Sequence, residues 1–579
     1  WNTLFDSKKV DTSVDIFNNK INDLILASTN YHSNIKRRNN NKKCKLKPWI
    51  SVGLITSIRV RKKMYNKMRR QPLNTHFKRC FIIYRNLLNN LIKSGRNSYY
   101  KTQIELSDNN PKKVWDLIKL ASYTKVNKQI IIREINHESG RIINNSKDIA
   151  NIFNSFFVNV GSNIASNIRE DGFIYKTFEE LNHNCHIEKS IFLSPIDPME
   201  ISSMIMKCKD FSSYYEGLLS NTILKKTSIN ISLPLSIIFN KCFSTGEFPS
   251  SFKKSIVIPI YKTEDIRSCN NYRPITLTLT IAKLLEKCIK TRLVNFLNGH
   301  KFFNENQFGF RNNLSTNDAL YCATKFIYDN LDLKKHVIGI FLDLKKAFDS
   351  VDHNLLLKKL EYCGIRGVPL KLLESFISNR YQKVKINDVY SDDLLVNYSV
   401  PQGTVLGPLL FIIYINGLLN LNLGGKVLCF ADDTVFLVSN SCLNNLKHEA
   451  NIGINLIKNW LDNNSLQLNF TKSNFVHFRI KNNNNNLNFD KLILHTVFCK
   501  RKVNNCVCPI INKTSSVKYL GIHLDEFLKW NVHIDKLIKS VRKFFYVFKC
   551  LKNILTVNFK TTVYKSLVQS IVSYGIAFR

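Results

Sequence analysis

The segment KVLCFADDTVFLV, residues 426–438, places Asp432 and Asp433 side by side inside an apolar, β-prone run. Adjacent carboxylates repel, and burying either one without a partner is costly. Such a pair requires positive charge nearby. A third acid, Asp343, closes the apolar run of VIGIFLDLKKAFDSVDH (337–353), so it projects from the end of a buried strand. If the two runs pair, the three carboxylates converge at one sheet edge. Carboxylates so placed suit hard, oxygen-loving divalent cations, Mg²⁺ above all. Two such ions roughly 3.5–4 Å apart activate an attacking hydroxyl and stabilise a leaving pyrophosphate. Each acid also has a plainer reading, Asp343 as a strand-end or helix-capping residue and Asp432–Asp433 as a hairpin turn dipeptide. Their joint occurrence on two matching apolar runs favours the metal reading.

Other residues could serve the same chemistry. In VPQGTVLGPLLFIIYIN (400–416), Gly403 and Gly407 allow close backbone approach or unusual dihedrals ahead of a helix that Pro408 opens. Gln402 is placed to hydrogen-bond a substrate, or is simply polar surface. In YKTEDIRSCNNYRPITL (261–277), Lys262 and Arg273 flank a loop. They suit a triphosphate, Arg through its bidentate fork and Lys as a point charge.

The elements that must position these groups are set by patterning. Candidate strands are 255–262, 336–344, 426–438, 473–480 and 517–524, with helical patterns at 354–364 and 446–464. Helices interspersed with non-adjacent strands predict an α+β domain whose small antiparallel sheet is covered on one face. SKDIANIFNSFFVNVGSNI (146–164) reads as a core helix capped by Ser146 or Asp148. HFKRCFIIYRNLLNNLIKSG (76–95) reads as a helix stopped at Gly95. KNNNNNLNF (481–489) reads as a surface loop, and 533–555 as a basic amphipathic helix.

Lys and Arg number 84 against 43 Asp and Glu, a net charge of +41 that points to a polyanion, nucleic acid first. Between Leu24 and Ile104 there are 20 Lys and Arg and no acid, which favours phosphate contact over a merely solvated helix face. No apolar run approaches the roughly 18 residues of a membrane span, and no signal peptide opens the chain. The 15 cysteines show no disulfide spacing, which suits a reducing, intracellular compartment. Cys499, Cys506 and Cys508 lack the company a zinc knuckle needs. The bounds at Trp1 and Arg579 suggest a fragment of a longer product. No pattern speaks to oligomeric state.

In order along the chain, NYRPITL, NENQFGFRNNLSTNDAL, DLKKAFDSVDH, PQGTVLGPLLF, FADDT, LQLNFTKSNFV and VKYLGIHL resemble the reverse transcriptases of non-LTR (LINE-type) retrotransposons. The resemblance covers about 233–545, and KPW with the basic helices before it resembles the linker those proteins carry ahead of the polymerase. It implies a right hand: a basic N-terminal extension over 1–150, a helical pre-fingers region over 151–232, fingers and palm over 233–530, and a truncated thumb over 531–579. Asp343, Asp432 and Asp433 would be the metal-binding triad for two Mg²⁺ ions. Phe348 falls at the steric-gate position, with a core aromatic as the plainer reading. Lys262 and Arg273 match residues that hold the triphosphate, and Gln402 one that packs on nucleotide and template. Lys472 matches a general acid for pyrophosphate, or is a surface Lys. Arg311 matches a template contact. The implied partners are an RNA template, a DNA primer and deoxynucleoside triphosphates, in nucleus and cytoplasm.

Departures from the family also matter. No endonuclease domain and no RNase H acid cluster are evident, so the expectation is primer extension without self-made nicks. The rival is a catalytically dead retroelement remnant acting only as a basic RNA-binding protein; intact motifs weigh against it. A group II intron-type enzyme shares the palm but requires a maturase region after the thumb.

Overall fold

The computed structural model describes residues 7, 9–30, 47–107, 111–122, 132–136, 140–170, 186–209, 220–262, 264–480, 490–494 and 508–578. The Asn tract at 481–489, with Cys499 and Cys506, lies outside them. Chain contacts divide the molecule into two compact units, one of 1–32 with 130–530 and Phe578, the other of 33–129 with 531–577 and Arg579. The expected extension over 1–150 is therefore shared between both.

In the larger unit the strands relevant to the site are β1 (Lys254–Tyr261), β2 (Tyr272–Leu277), β3 (His336–Leu342), β4 (Arg380–Ile386), β5 (Gly425–Phe430), β6 (Asp433–Asn440), β7 (Asn474–Phe478), β8 (Lys491–Ile493) and β9 (Ile510–Lys513). One sheet has the order β8-β9-β7-β3-β6-β5 and is antiparallel except between β7 and β9. A second runs β2-β1-β4, with β1 parallel to β4 and two short strands completing it beyond β4. The mixture of helix and sheet is α+β.

The first sheet is covered on both faces, not on one as the sequence suggests. Ile338, Ile340, Phe436 and Val438 join the main core with helices Gly407–Ile415 and Leu443–Asn463. Behind, helix Thr316–Asp332 packs on the same strands, and Phe341 meets Tyr519 with ring centroids 5.4 Å apart. The cause lies in β3 itself: VIGIFL is apolar at every position, so both faces must be buried.

Two expected strands are hairpins. The run 426–438 breaks at Ala431–Asp432, and 517–524 breaks at Leu520–Gly521. Asn145 caps the helix Ser146–Glu170, in place of Ser146 or Asp148: the Lys147 N–H donates to its Oδ1 at 3.1 Å.

The smaller unit is helical. Val52–Arg70 is capped by Ser51 and buries no residue, so its basic surface faces solvent. Thr75–Glu105 is capped by Asn74 and runs ten residues past Gly95. Glycine within a helix costs about 1 kcal/mol, and burial of Tyr100 and Ile104 beyond it outweighs that. These side chains share a core with Val547, Leu551 and Ile554 from and after helix Asn531–Leu551. No helix among the described residues is long and apolar enough to cross a membrane.

Candidate active site

Strand register brings the three acids to one edge. β3 and β6 pair with Leu342 opposite Thr434, so Asp343 and Asp433, the next residue on each strand, lie across from one another. Asp433 pairs with Phe430, leaving Ala431 and Asp432 as a two-residue hairpin loop. Ala431 has φ +58°, the positive value at the first central position that primed hairpin turns use to match strand twist.

Asp343 is held from a third segment. The Asn469 Nδ2 donates to its Oδ2 at 2.8 Å, the Asn469 N–H donates to its carbonyl at 2.8 Å, and its own N–H donates to Ser473 Oγ at 3.1 Å. Asn469 therefore fixes this carboxylate, a role that sequence reasoning missed. Its one signal is a short amide beside the turn before Lys472.

The electrostatics are those of crowded anions facing cations. Asp433 is exposed at its surface, yet its carboxyl is pushed up to about 6 by desolvation, then by Asp432 and Asp343, with Arg273 opposing. Asp432 is raised by burial first and by Asp343, while Arg273 and Lys262 lower it. Lys262 is pulled below its usual value by desolvation, Arg273 and Lys472, and drawn back by Asp343 and Asp349. Lys262, Arg273, Lys472 and the acids thus share one field. Among the described residues, no group of three or more His, Cys, Asp or Glu side chains is already gathered closely enough to hold a metal ion. The expected two-ion cage is therefore not shown by the side-chain positions. The donor set nonetheless fits a hard divalent cation: oxygen donors only, mutually repelling and partly desolvated.

The loop 400–407 docks beside β2. Thr276 N–H donates to Gln402 O at 2.8 Å. Gly403 has φ +112°, and a Cβ there would lie 2.6 Å from Thr276 O, so the approach requires glycine. The Gln402 Nε2 donates to Asp349 Oδ1 at 3.0 Å. Glu286 accepts Val405 and Leu406 N–H at 2.6 and 3.1 Å, anchoring the loop where the helix Gly407–Ile415 begins. Neither acid was singled out from sequence, since each partner is 53 or more residues away. Phe348 is half-buried, its ring stacked on Phe411 at 4.4 Å and met edge-on by Phe310 at 6.2 Å. Arg311 does not join the acids. It donates to the Asn304 and Gln307 carbonyls at 2.9 and 3.4 Å and lines a cleft of about 790 Å³.

Asp349 yields a pH prediction. Burial raises its carboxyl from 3.8 to about 6, against the pull of Lys346, the Gln402 bond, Lys262 and Arg273. A carboxyl raised in the fold favours the native state while neutral. That contribution is complete below pH 3.8 and is lost as pH climbs through about 6. Asp349→Asn should therefore gain on the wild type by about 2 kcal/mol between pH 4 and 7. Chemical denaturation at both pH values checks this; parallel pH dependences would contradict it.

Residues 258–524 match the family model described as reverse transcriptase (RNA-dependent DNA polymerase), and this part of the chain is a reverse transcriptase domain. The chain is also similar to polymerases of transposons and mobile elements. The probable RNA-directed DNA polymerase from transposon X-element of Drosophila melanogaster is 27% identical over 69% of this chain and 43% of its own. The RNA-directed DNA polymerase from mobile element jockey of the same organism is 26% identical over 67% of this chain and 42% of its own. The chain thus spans less than half the length of these relatives. Among solved structures, apo telomerase from Candida tropicalis, truncated from its C-terminal domain, aligns at 13% identity over 48% of this chain and 54% of its own. Its TM-score of 0.33 is too low to carry an argument.

Proposed function

We propose that this chain is an RNA-directed DNA polymerase that extends a DNA primer on an RNA template. The observation that supports this most is the β3–β6 register, which sets Asp343 beside Asp432–Asp433 with Lys262, Arg273 and Lys472 in the same field. In this reading the β3-centred sheet is the palm, the β1–β2–β4 sheet belongs to the fingers, and helix Asn531–Leu551 opens the thumb.

Asp343, Asp432 and Asp433 would hold two Mg²⁺ ions. Bound there, the ions lower the pKa of a hydroxyl nucleophile and neutralise charge on phosphate oxygens. The remaining work falls to the chain's own groups. Arg273 clamps phosphate oxygens through its fork, and the charge of Lys262, disfavoured among neighbouring cations, is stabilised beside a triphosphate. Lys472 gives a proton to the departing pyrophosphate. Asp349 fixes the Gln402 amide through Nε2, leaving Oε1 to face nucleotide and template, and Gly403 lets that backbone lie close. Arg311 serves the template-gripping loop by bracing its carbonyls. The acid-free stretch of residues 24–104 supplies phosphate contacts for template or duplex, and a nuclear and cytoplasmic location follows from such a role.

In this reading Phe348, stacked on Phe411, is the group that meets a ribose 2′-hydroxyl. Phe348→Ala should reduce discrimination between deoxynucleotides and ribonucleotides by roughly 10–100-fold. Single-nucleotide incorporation with each substrate measures it. Unchanged selectivity would leave Phe348 as a core aromatic. Extension of a DNA primer on RNA by the purified chain tests the function as a whole.

A further inference from the structure

The loop 304–311, NENQFGFR, lies against the acidic hairpin. The Phe308 N–H donates to Cys429 O at 2.8 Å, and the Cys429 N–H donates to Asn306 O at 2.9 Å. Gln307 and Cys429 form an isolated parallel bridge, so the loop adds a short rung outside β5. Gln307 is wholly buried. Its Oε1 accepts two backbone N–H groups, Gly309 at 3.0 Å and Ala431 at 3.2 Å. A Cβ at Gly309 would come within 2.2 Å of Ala431 N, so the loop lies against the turn backbone itself. The Gln307 Nε2 is buried without a hydrogen-bond partner. A buried amide whose donor goes unsatisfied is costly, and here its oxygen makes both of the side chain's hydrogen bonds.

That oxygen binds the one residue of the turn whose backbone is unfavourable. Ala431 holds φ +58°, a left-handed value that alanine disfavours and that persists only where surroundings enforce it. Asp432 and Asp433 follow directly, so their direction depends on this residue.

We infer that Gln307 is a positioning residue. Through one carboxamide oxygen it clamps the left-handed Ala431 and thereby aims Asp432 and Asp433 at the reaction centre. The inference rests on the reading of these acids as those of nucleotide transfer. Its physical half, the clamp on Ala431, stands independently.

The test uses the full chain with Gln307→Met, which keeps the volume and removes the acceptor, and the double variant Gln307→Met/Ala431→Gly. Glycine adopts positive φ freely, so the relaxed turn has less need of the clamp. Two readouts are taken, amide hydrogen exchange over 428–434 and single-nucleotide incorporation on a primed RNA template. Gln307→Met should speed exchange at Ala431 about tenfold and lower kcat by about 10–100-fold, the usual cost of an outer-shell partner. KM for the deoxynucleotide should change little. Ala431→Gly should restore most of kcat in the Gln307→Met background, which a volume or folding defect would not permit. Unchanged exchange at Ala431 overturns the proposal, as does a kcat loss that Ala431→Gly leaves untouched. Should Gln307→Met not fold, Gln307→Asn, which withdraws the oxygen by one methylene, replaces it on the same criteria. A wild-type chain that incorporates no nucleotide refutes the polymerase reading alone, and the exchange arm still decides the clamp.

Discussion

Asp432→Asn should abolish nucleotide addition, lowering kcat by at least about 10³-fold, while the protein stays folded. The reasoning is electrostatic. Asp432 is crowded by Asp343 and raised by burial, so its charge is a burden on the fold. An isosteric amide removes that burden and keeps the shape, and melting at neutral pH should hold or rise. Function moves the other way, because an amide carries no negative charge to gather a divalent cation. Lost activity with retained stability marks a group kept for chemistry. Lost activity with lost stability would make Asp432 a structural residue. Activity within tenfold of wild type would remove it from the mechanism.

Glu286→Ala should be the most damaging single change to the fold, costing about 3–5 kcal/mol. Glu286 is almost completely buried in helix Thr280–Gly299, and burial raises its carboxyl against two N–H bonds and the nearby Arg380. Alanine would orphan the N–H groups of Val405 and Leu406. It would also leave Arg380, itself buried and already lowered to about 10 by desolvation, without its compensating acid. Glu286→Gln retains an acceptor oxygen and should lose much less. Urea titration of both variants checks the order. A loss below about 1 kcal/mol for alanine would contradict the anchoring role. Because Glu286 tethers the loop that carries Gln402 and Gly403, incorporation should fall with it.

The parts of this architecture legible in the sequence are those with local signatures. The apolar run ending at Asp343 and the acid pair at 432–433 announce their own strands. Pro408 marks a helix opening that the structure places within the first turn of Gly407–Ile415. Of the acid-free stretch, the helix Val52–Arg70 buries no residue. What escaped depends on distant partners. The hairpin turn falls at Ala431–Asp432, one residue before the Asp432–Asp433 dipeptide that the sequence offers as its plainer reading, because Gln307 holds Ala431 from 124 residues away. Gly95 reads as a stop because local propensity says so, but burial of Tyr100 and Ile104 carries the helix onward. The unbroken apolar run of β3 demands cover on both faces, but the sequence does not say that helix Thr316–Asp332 supplies the second cover. Asn469, Asp349 and Glu286 look like ordinary polar residues until their backbone or side-chain partners arrive from elsewhere in the fold.

The central claim is that the acids at the end of β3 and in the β5–β6 hairpin work as one centre that builds DNA on RNA. The most direct measurement is single-turnover addition of one deoxynucleotide to a DNA primer annealed to RNA, with Mg²⁺, by the wild type and by Asp343→Asn. The account predicts an elongated primer with the wild type and none with the variant, although both bind the primed template equally. A wild-type chain that grips the hybrid but adds nothing, or an Asp343→Asn chain that still extends it, would contradict the account.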